Sequence, residues 1–230
     1  GLLQDLEWLL DTLEHMPQLR AVVIGSTNPK IFCAGADVNQ FLSWDAESGA
    51  KMSGWGNRIF DRIAALPVPV ICAISGGAYG GGLELAMACD IRVASDNAKF
   101  GQPECGLGIL PGFGGTQRLA RLVGKGRAKE LIFTCDKIDA QEAYRIGLVN
   151  KVVPQAELLD FCLMMADKML SKGSYAIALA KMCIETGIDT DLDSGLNMEA
   201  TNFGLSFATN DKKEGMTAFL EKRKATLTDF

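Results

Sequence analysis

One histidine, His15, serves a chain of 230 residues, and that scarcity narrows the chemistry at once. A multi-histidine metal site is excluded, and a Ser-His pair is disfavoured because His15 lies in the first helical stretch, far along the chain from every candidate serine. Acid–base work must fall to carboxylates, Lys, Tyr or Cys. Cysteine is present seven times (Cys33, Cys72, Cys89, Cys105, Cys135, Cys162 and Cys183) but never as CxxC. An odd number of cysteines, mostly inside apolar runs, implies small core hydrophobes in a reducing compartment rather than a disulfide framework or a zinc cluster. No uninterrupted apolar stretch approaches the roughly 20 residues that span a bilayer. The opening GLLQDLEWLLDTLEH is acidic and helical in period, unlike a basic-then-apolar signal sequence. Basic blocks are missing too: 23 Lys and Arg against 28 Asp and Glu leave a net charge of −5, and EKRK near the end is the only basic cluster. These absences predict a cytoplasmic protein with neither a nucleic-acid nor a membrane partner.

What is present is core-forming sequence, 48% of it apolar. Leu2, Leu3, Leu6, Leu9, Leu10 and Leu13 recur at helical spacing and lead into the β-rich RAVVIGST. A polar stretch over 43–54 reads as a connection, and a helix is predicted around WGNRIFDRIAAL. PVPVICAIS then reads as a buried strand bounded by prolines, and DIRVAS as another. IDAQEAYRIGLVNKVV gives an Asp139 cap, a helix stopped near Gly147 and a strand. From about Gln155 the pattern is helical throughout. The division expected is an α/β body over 1–154 and an all-helical region over 155–230.

The chemistry-bearing stretch is SGGAYGGGLELAMACD. Glycine between a buried strand and a helix lets backbone N–H groups approach a bound group with no Cβ in the way. No Lys-Ser/Thr follows, which excludes a P-loop, and the GxGxxG spacing is absent. CAGAD (33–37) is a second small-residue turn where Ala36 and its neighbours could present N–H groups. One donor from each turn would make a two-pronged oxyanion hole. For Asp37 itself the simpler reading is a side chain closing its own turn. Glu84 follows the glycines among Leu83, Leu85, Ala86, Met87 and Ala88, which leave little solvent face. Glu104, in FGQPECGLG, stands in a segment otherwise without charge. Burial would raise at least one carboxyl pKa, so that one acid is protonated while the other is ionised.

At these residues the chain resembles the enoyl-CoA hydratases of the crotonase superfamily. The matching segments are FCAGADV, PVPVICAISGGAYGGGLELAMACDIRVAS, FGQPECGLGILPGFGGTQRL, GLVNKVV and EGMTAFLEKRKA, closest to the short-chain branch. The resemblance implies an α/β fold, a crotonase-type spiral of ββα units with a C-terminal helical region that packs subunits into trimers or hexamers. It implies that the backbone N–H groups of Ala36 and Gly81 hold a thioester oxygen, and that Glu84 and Glu104 hold the water and deliver the proton. The Gly112 N–H would help fix that water. Ala34, Asp37 and Val38 would line the CoA side mainly through backbone, and Phe203 and Lys222 would contact CoA, Lys222 at a neighbouring subunit. Coenzyme A enters as the carrier of the substrate, and no metal or redox cofactor is implied. The expected reaction is hydration of a short-chain 2-enoyl-CoA such as crotonyl-CoA. Retention of both acids favours it over an isomerase, and the charge and the acids together disfavour a non-catalytic scaffold. Trp44 and Trp55 are expected to flank the acyl pocket.

The sequence departs from the family at two places. Members usually begin with a further strand and an Asn-Ala-Leu-like turn that contacts CoA, and this sequence opens after it, so either the chain is incomplete or its adenine-side pocket differs. Ser75 and Gly77 replace the Asn and aromatic residue of the usual AVNGFA, substitutions that read as structural.

Overall fold

The computed structural model describes residues 1–228. Two four-stranded sheets are built by a chain whose first six strands alternate between them. The first takes β1 (Val22–Gly25), β3 (Val70–Ile74), β5 (Ile91–Ser95) and β8 (Lys151–Val153) in that order. The second takes β2 (Ile31–Cys33), β4 (Gly77–Tyr79), β6 (Lys99–Gly101) and β7 (Ile138–Asp139). Strands β3, β5 and β8 run parallel, as do β2, β4 and β6, while β7 closes the second sheet antiparallel to β6. Each pair of strands is followed by helical chain: α2 (Ala46–Ala65) after β2, α3 (Gly81–Met87) after β4, and a 3-10 helix at Glu104–Leu107 with α4 (Gly115–Val123) after β6. This is the expected ββα repetition.

Strand β3 carries the core. Its five consecutive apolar residues are all buried, as parallel strands covered on both faces require. The Asp90 carboxylate accepts from the Val70 N–H at 2.7 Å. Arg92 is buried and satisfied by carbonyls, its Nε donating to Leu148 at 2.8 Å and its Nη1 to Cys89 at 2.6 Å. The Cys89 carbonyl lies just past the end of α3, and the Leu148 carbonyl follows α6 (Ala140–Arg145), so one guanidinium ties two chain turns together. The seven cysteines are free thiols, and Cys72, Cys89 and Cys162 are core residues. Among the described residues no helix is long and apolar enough to cross a membrane.

Two local expectations are corrected. The polar stretch 43–54 is mostly helix, because α2 starts at Ala46. Asp45 initiates it by accepting the Ser48 N–H at 2.8 Å, a cap that offsets part of the cost of Gly49 and Gly54, the buried face at Ile59, Phe60 and Ile63 supplying the rest. The glycine-rich segment after β3 is not loop throughout either, since Gly77–Tyr79 pair with Lys99–Gly101 as β4. Elsewhere Asp139 caps α6 through the Glu142 N–H, and Gly147 turns the chain at φ +83°.

By density of internal contacts the described chain gathers into two units, one of 1–17, 23–64 and 70–163, the other of 18–22, 65–69 and 164–228. The first includes α1 (Leu2–Leu13) and α5 (Lys125–Thr134), and α7 (Leu158–Leu170) leads from it into the second. The second holds α8 (Ser174–Gly187), α9 (Leu192–Ser206) and α10 (Asn210–Leu220). Helices α8 and α9 approach closely where Gly187 faces Gly195, a Cβ on Gly195 standing 3.5 Å from the Gly187 carbonyl oxygen. The unit leaves Ile184, Ile188, Leu192, Phe203, Phe219 and Leu220 each more than three-fifths exposed.

Candidate active site

The two candidate acids and both small-residue turns lie in the first unit, just after β2, β4 and β6. Helix α3 is apolar around its whole circumference, so a carboxylate in its first turn is carried inward. Glu84 is 1% exposed. Its Oε1 accepts the N–H of Phe113 at 2.8 Å and that of Gly115 at 2.7 Å, donors from the loop that enters α4. Burial raises the Glu84 pKa, while those two N–H groups and the nearby charge of Arg118 pull it back.

Glu104 begins the 3-10 helix behind Pro103 and is half-buried. Burial, reinforced by the charge of Glu84 and opposed by its own backbone N–H, pushes its pKa up to about 7. Gln102, fully buried, stands next to it. With the amide oriented by its hydrogen-bonding sense, Nε2 donates to Oε2 of Glu104 at 2.9 Å and to Oε1 at 3.2 Å.

The glycines make room for these groups. Gly80 sits at φ +53°, and a Cβ there would stand 2.6 Å from Oε1 of Glu104. Gly82 passes so close to β2 that a Cβ would fall 2.1 Å from the Cys33 carbonyl oxygen. Gly35, at φ +87°, would place a Cβ 3.1 Å from the Gly81 nitrogen. The two small-residue turns read from the sequence are thus in van der Waals contact, which puts Ala36 and Gly81 on one wall. Gly81 is the first residue of α3, so its N–H has no acceptor within the helix.

Two adjoining cavities of ≈ 500 and ≈ 590 Å³ share that wall. The larger receives both acids, with Ala34, Val38 and Gly112 also on its lining, and the smaller is bordered by Asp37, Trp44, Trp55 and Phe60. The Phe113 ring borders both, as do Phe41, Trp44 and Met52. It packs edge-on to Phe60 at 5.9 Å, over Gly56 and Gly81, where a Cβ would approach its carbons to 2.4 Å and 3.2 Å. Trp44 leans on Phe41 at 4.7 Å, and Trp55 donates its indole N–H to Glu7 at 3.2 Å. The Asp37 carboxylate accepts the Asn39 N–H at 3.0 Å and closes its own turn. Phe203 and Lys222 belong to the second unit and do not line these cavities; Phe203 packs on Phe207 and Lys222 follows α10 at φ +55°. Among the described residues no three His, Cys, Asp or Glu side chains gather as a metal site would require.

Sequence reasoning missed the groups that hold the acids. Gln102 stood two residues before Glu104 in an otherwise neutral segment, a usable signal. The N–H groups of Phe113 and Gly115 carried none, because only the folded loop aims them at Glu84. A buried carboxyl held by two backbone N–H groups and a second carboxyl with its pKa pushed up to about 7 face one cavity beside a pair of small-residue turns. That arrangement can add and remove a proton and a water at a carbonyl-activated carbon.

Residues 1–229 match the family model described as enoyl-CoA hydratase/isomerase. A crotonyl-CoA hydratase of Syntrophomonas wolfei is 53% identical over 209 residues, 91% of this chain and 80% of the relative. A short-chain-enoyl-CoA hydratase of Clostridium acetobutylicum is 48% identical over 222 residues, 96% and 85% of the two chains. The crystal structure of an enoyl-CoA hydratase from Bacillus anthracis superposes with a TM-score of 0.93 at 42% identity, over 98% of this chain and 88% of that one.

Proposed function

The chain belongs to the enoyl-CoA hydratase/isomerase family, and we propose that it adds water across the 2,3-double bond of short-chain 2-enoyl-CoA thioesters, reversibly, through Glu84 and Glu104. The observation that carries the reading is the unequal setting of two acids on one cavity. Glu84 accepts two backbone N–H bonds, which favour its ionised form, whereas Glu104, with its pKa at about 7, keeps a proton to give near neutrality. The two acids hold one water between them. As its oxygen attacks C3, Glu84 takes a water proton, and the electron pair of the double bond moves onto the thioester. The N–H groups of Ala36 and Gly81 stabilise the resulting enolate oxygen, and Glu104 delivers its proton to C2. Because the acids share the water, their titrations belong to the pair. Gly112 borders the cavity that would hold this water.

Ala34, Asp37 and Val38 lead from the oxyanion turn toward the CoA moiety and meet it mainly through backbone. A carboxylate activates the water and backbone donors hold the enolate, so the scheme calls on no metal or redox cofactor. Phe203 and Lys222 complete a neighbouring subunit's CoA site in a homotrimer or a pair of trimers, a reading supported by the exposed apolar side chains of the second unit.

Loss of the conjugated enoyl-thioester absorbance of crotonyl-CoA tests this directly. The parent should hydrate it rapidly, and Glu84→Gln and Glu104→Gln should each lose about 10³-fold or more in kcat. A parent that binds acyl-CoA but leaves the absorbance unchanged overturns the reading and directs attention to double-bond isomerisation.

A further inference from the structure

The loop that holds Glu84 is itself held by one edge of α2, whose Ser53 also borders the larger cavity. The Ser53 hydroxyl donates to the Gly112 carbonyl at 2.5 Å, and the Asn57 side-chain amide donates to the same oxygen at 3.3 Å and to Ser53 Oγ at 3.5 Å. That carbonyl belongs to the same peptide unit as the Phe113 N–H, which points the opposite way onto Oε1 of Glu84. Four residues further along α2, Asp61 pairs with Arg118 of α4 at 2.5 Å, and Arg118 donates to the Phe113 carbonyl at 3.0 Å. Ser53, Asn57 and Asp61 are spaced by four, one helical face, and all three act on the two carbonyls that flank Phe113.

We infer that Ser53 and Asn57 are positioning residues for the hydration reaction: gripping the Gly112 carbonyl, they orient and polarise the 112–113 peptide so that its N–H fixes the Glu84 carboxylate against the water. The reason is geometric. A peptide plane is rigid, so its N–H direction is set by whatever holds its carbonyl. An amide whose oxygen accepts two hydrogen bonds is also a stronger donor, as chains of hydrogen bonds polarise one another. Gly112 supplies no side chain to pack, and a Cβ placed there would meet nothing within 4 Å, so contact alone does not fix this stretch of loop. The inference rests on the proposed hydratase reading, to which it adds the origin of the base's orientation.

The test uses Ser53→Ala/Asn57→Leu, which removes both donors, adds no charge and keeps side-chain volume at 57, with Ser53→Thr as the conservative variant that retains a hydroxyl. Expected for the double variant is a fall in kcat of about 10- to 100-fold, the range for loss of an outer hydrogen-bonded support, with KM changed less than about twofold. The acidic limb of the kcat profile should move to higher pH, because a loosened N–H no longer favours the ionised base. The charged groups facing that base, Arg118 of α4 with its partner Asp61 of α2, and Glu104 of the 3-10 helix, are unaltered. Ser53→Thr should return kcat to within about threefold of the parent. Independently of turnover, the Phe113 amide should exchange hydrogen at least about tenfold faster in the double variant. A parent that does not hydrate crotonyl-CoA defeats the hydratase reading, and the exchange rate still decides the support. A parent that hydrates, beside a double variant with unchanged kcat, profile and Phe113 exchange, defeats this inference alone. A variant that merely loses thermal stability, with profile and kcat intact at low temperature, assigns Ser53 and Asn57 a structural role and also overturns it.

Discussion

Glu104→Gln should make the protein more stable as it stops turnover. Burial, aided by Glu84, lifts the Glu104 pKa from 4.5 to about 7. Folding therefore opposes ionisation of this carboxyl. Below about pH 4 it is protonated in both states and costs nothing. As pH rises from 4.5 to 7 the unfolded chain releases the proton first, and the parent loses stability across that window. A gap of about 2.5 at about 1.4 kcal/mol for each pH unit is about 3.5 kcal/mol, and partial exposure of the group trims it to about 2. Glutamine matches the shape, keeps an oxygen to accept from Gln102, and carries no charge. The difference in unfolding free energy, variant minus parent, should grow from near zero at pH 4 to about 2 kcal/mol at pH 8. Urea denaturation of both proteins at one fixed protein concentration measures it, with crotonyl-CoA absorbance followed on the same preparations. A difference that stays flat from pH 4 to 8, or favours the parent at pH 8, refutes the claim that the fold holds this acid against ionisation.

Gly82→Ala should destabilise the protein by about 1–3 kcal/mol and reduce kcat, because the new methyl meets the Cys33 carbonyl at 2.1 Å and pushes the oxyanion turns apart; thermal unfolding and steady-state rates check both. Phe113→Ala removes a ring that borders both cavities, so the ratio of kcat/KM for an eight-carbon enoyl-CoA over crotonyl-CoA should rise about tenfold or more, while the backbone N–H on Glu84 remains. Trp44 lines both cavities, so acyl-CoA binding should change its fluorescence in a Trp55→Phe background; an unaltered spectrum at saturating ligand would remove it from the acyl pocket.

Sequence composition disclosed the acids before the fold did, because Glu84 had no solvent face among its leucines and Glu104 stood in a segment without other charge. Convergence was hidden. It depends on Gly82 lying against Cys33 and on Gly35 against Gly81, contacts between residues about fifty apart that no local pattern encodes. The helix α2 shows a different failure. Ser53, Asn57 and Asp61 form a period-four polar edge that the sequence displays, but the glycines at 49 and 54 made the first half of α2 read as a connection. Gly56 is better explained from outside the helix, since its missing side chain is the seat of the Phe113 ring.

The two N–H groups proposed for the thioester oxygen come from the junctions after β2 and β4, whereas the support of Glu84 comes from the segment entering α4 and Glu104 rises from the 3-10 helix. Grip and reaction are thus assigned to different stretches of chain. A protein with both acids replaced by alanine would keep a cleft shaped for an enoyl thioester and polarising it, and new side chains at 84 and 104 could direct the activated carbon toward nucleophiles other than water.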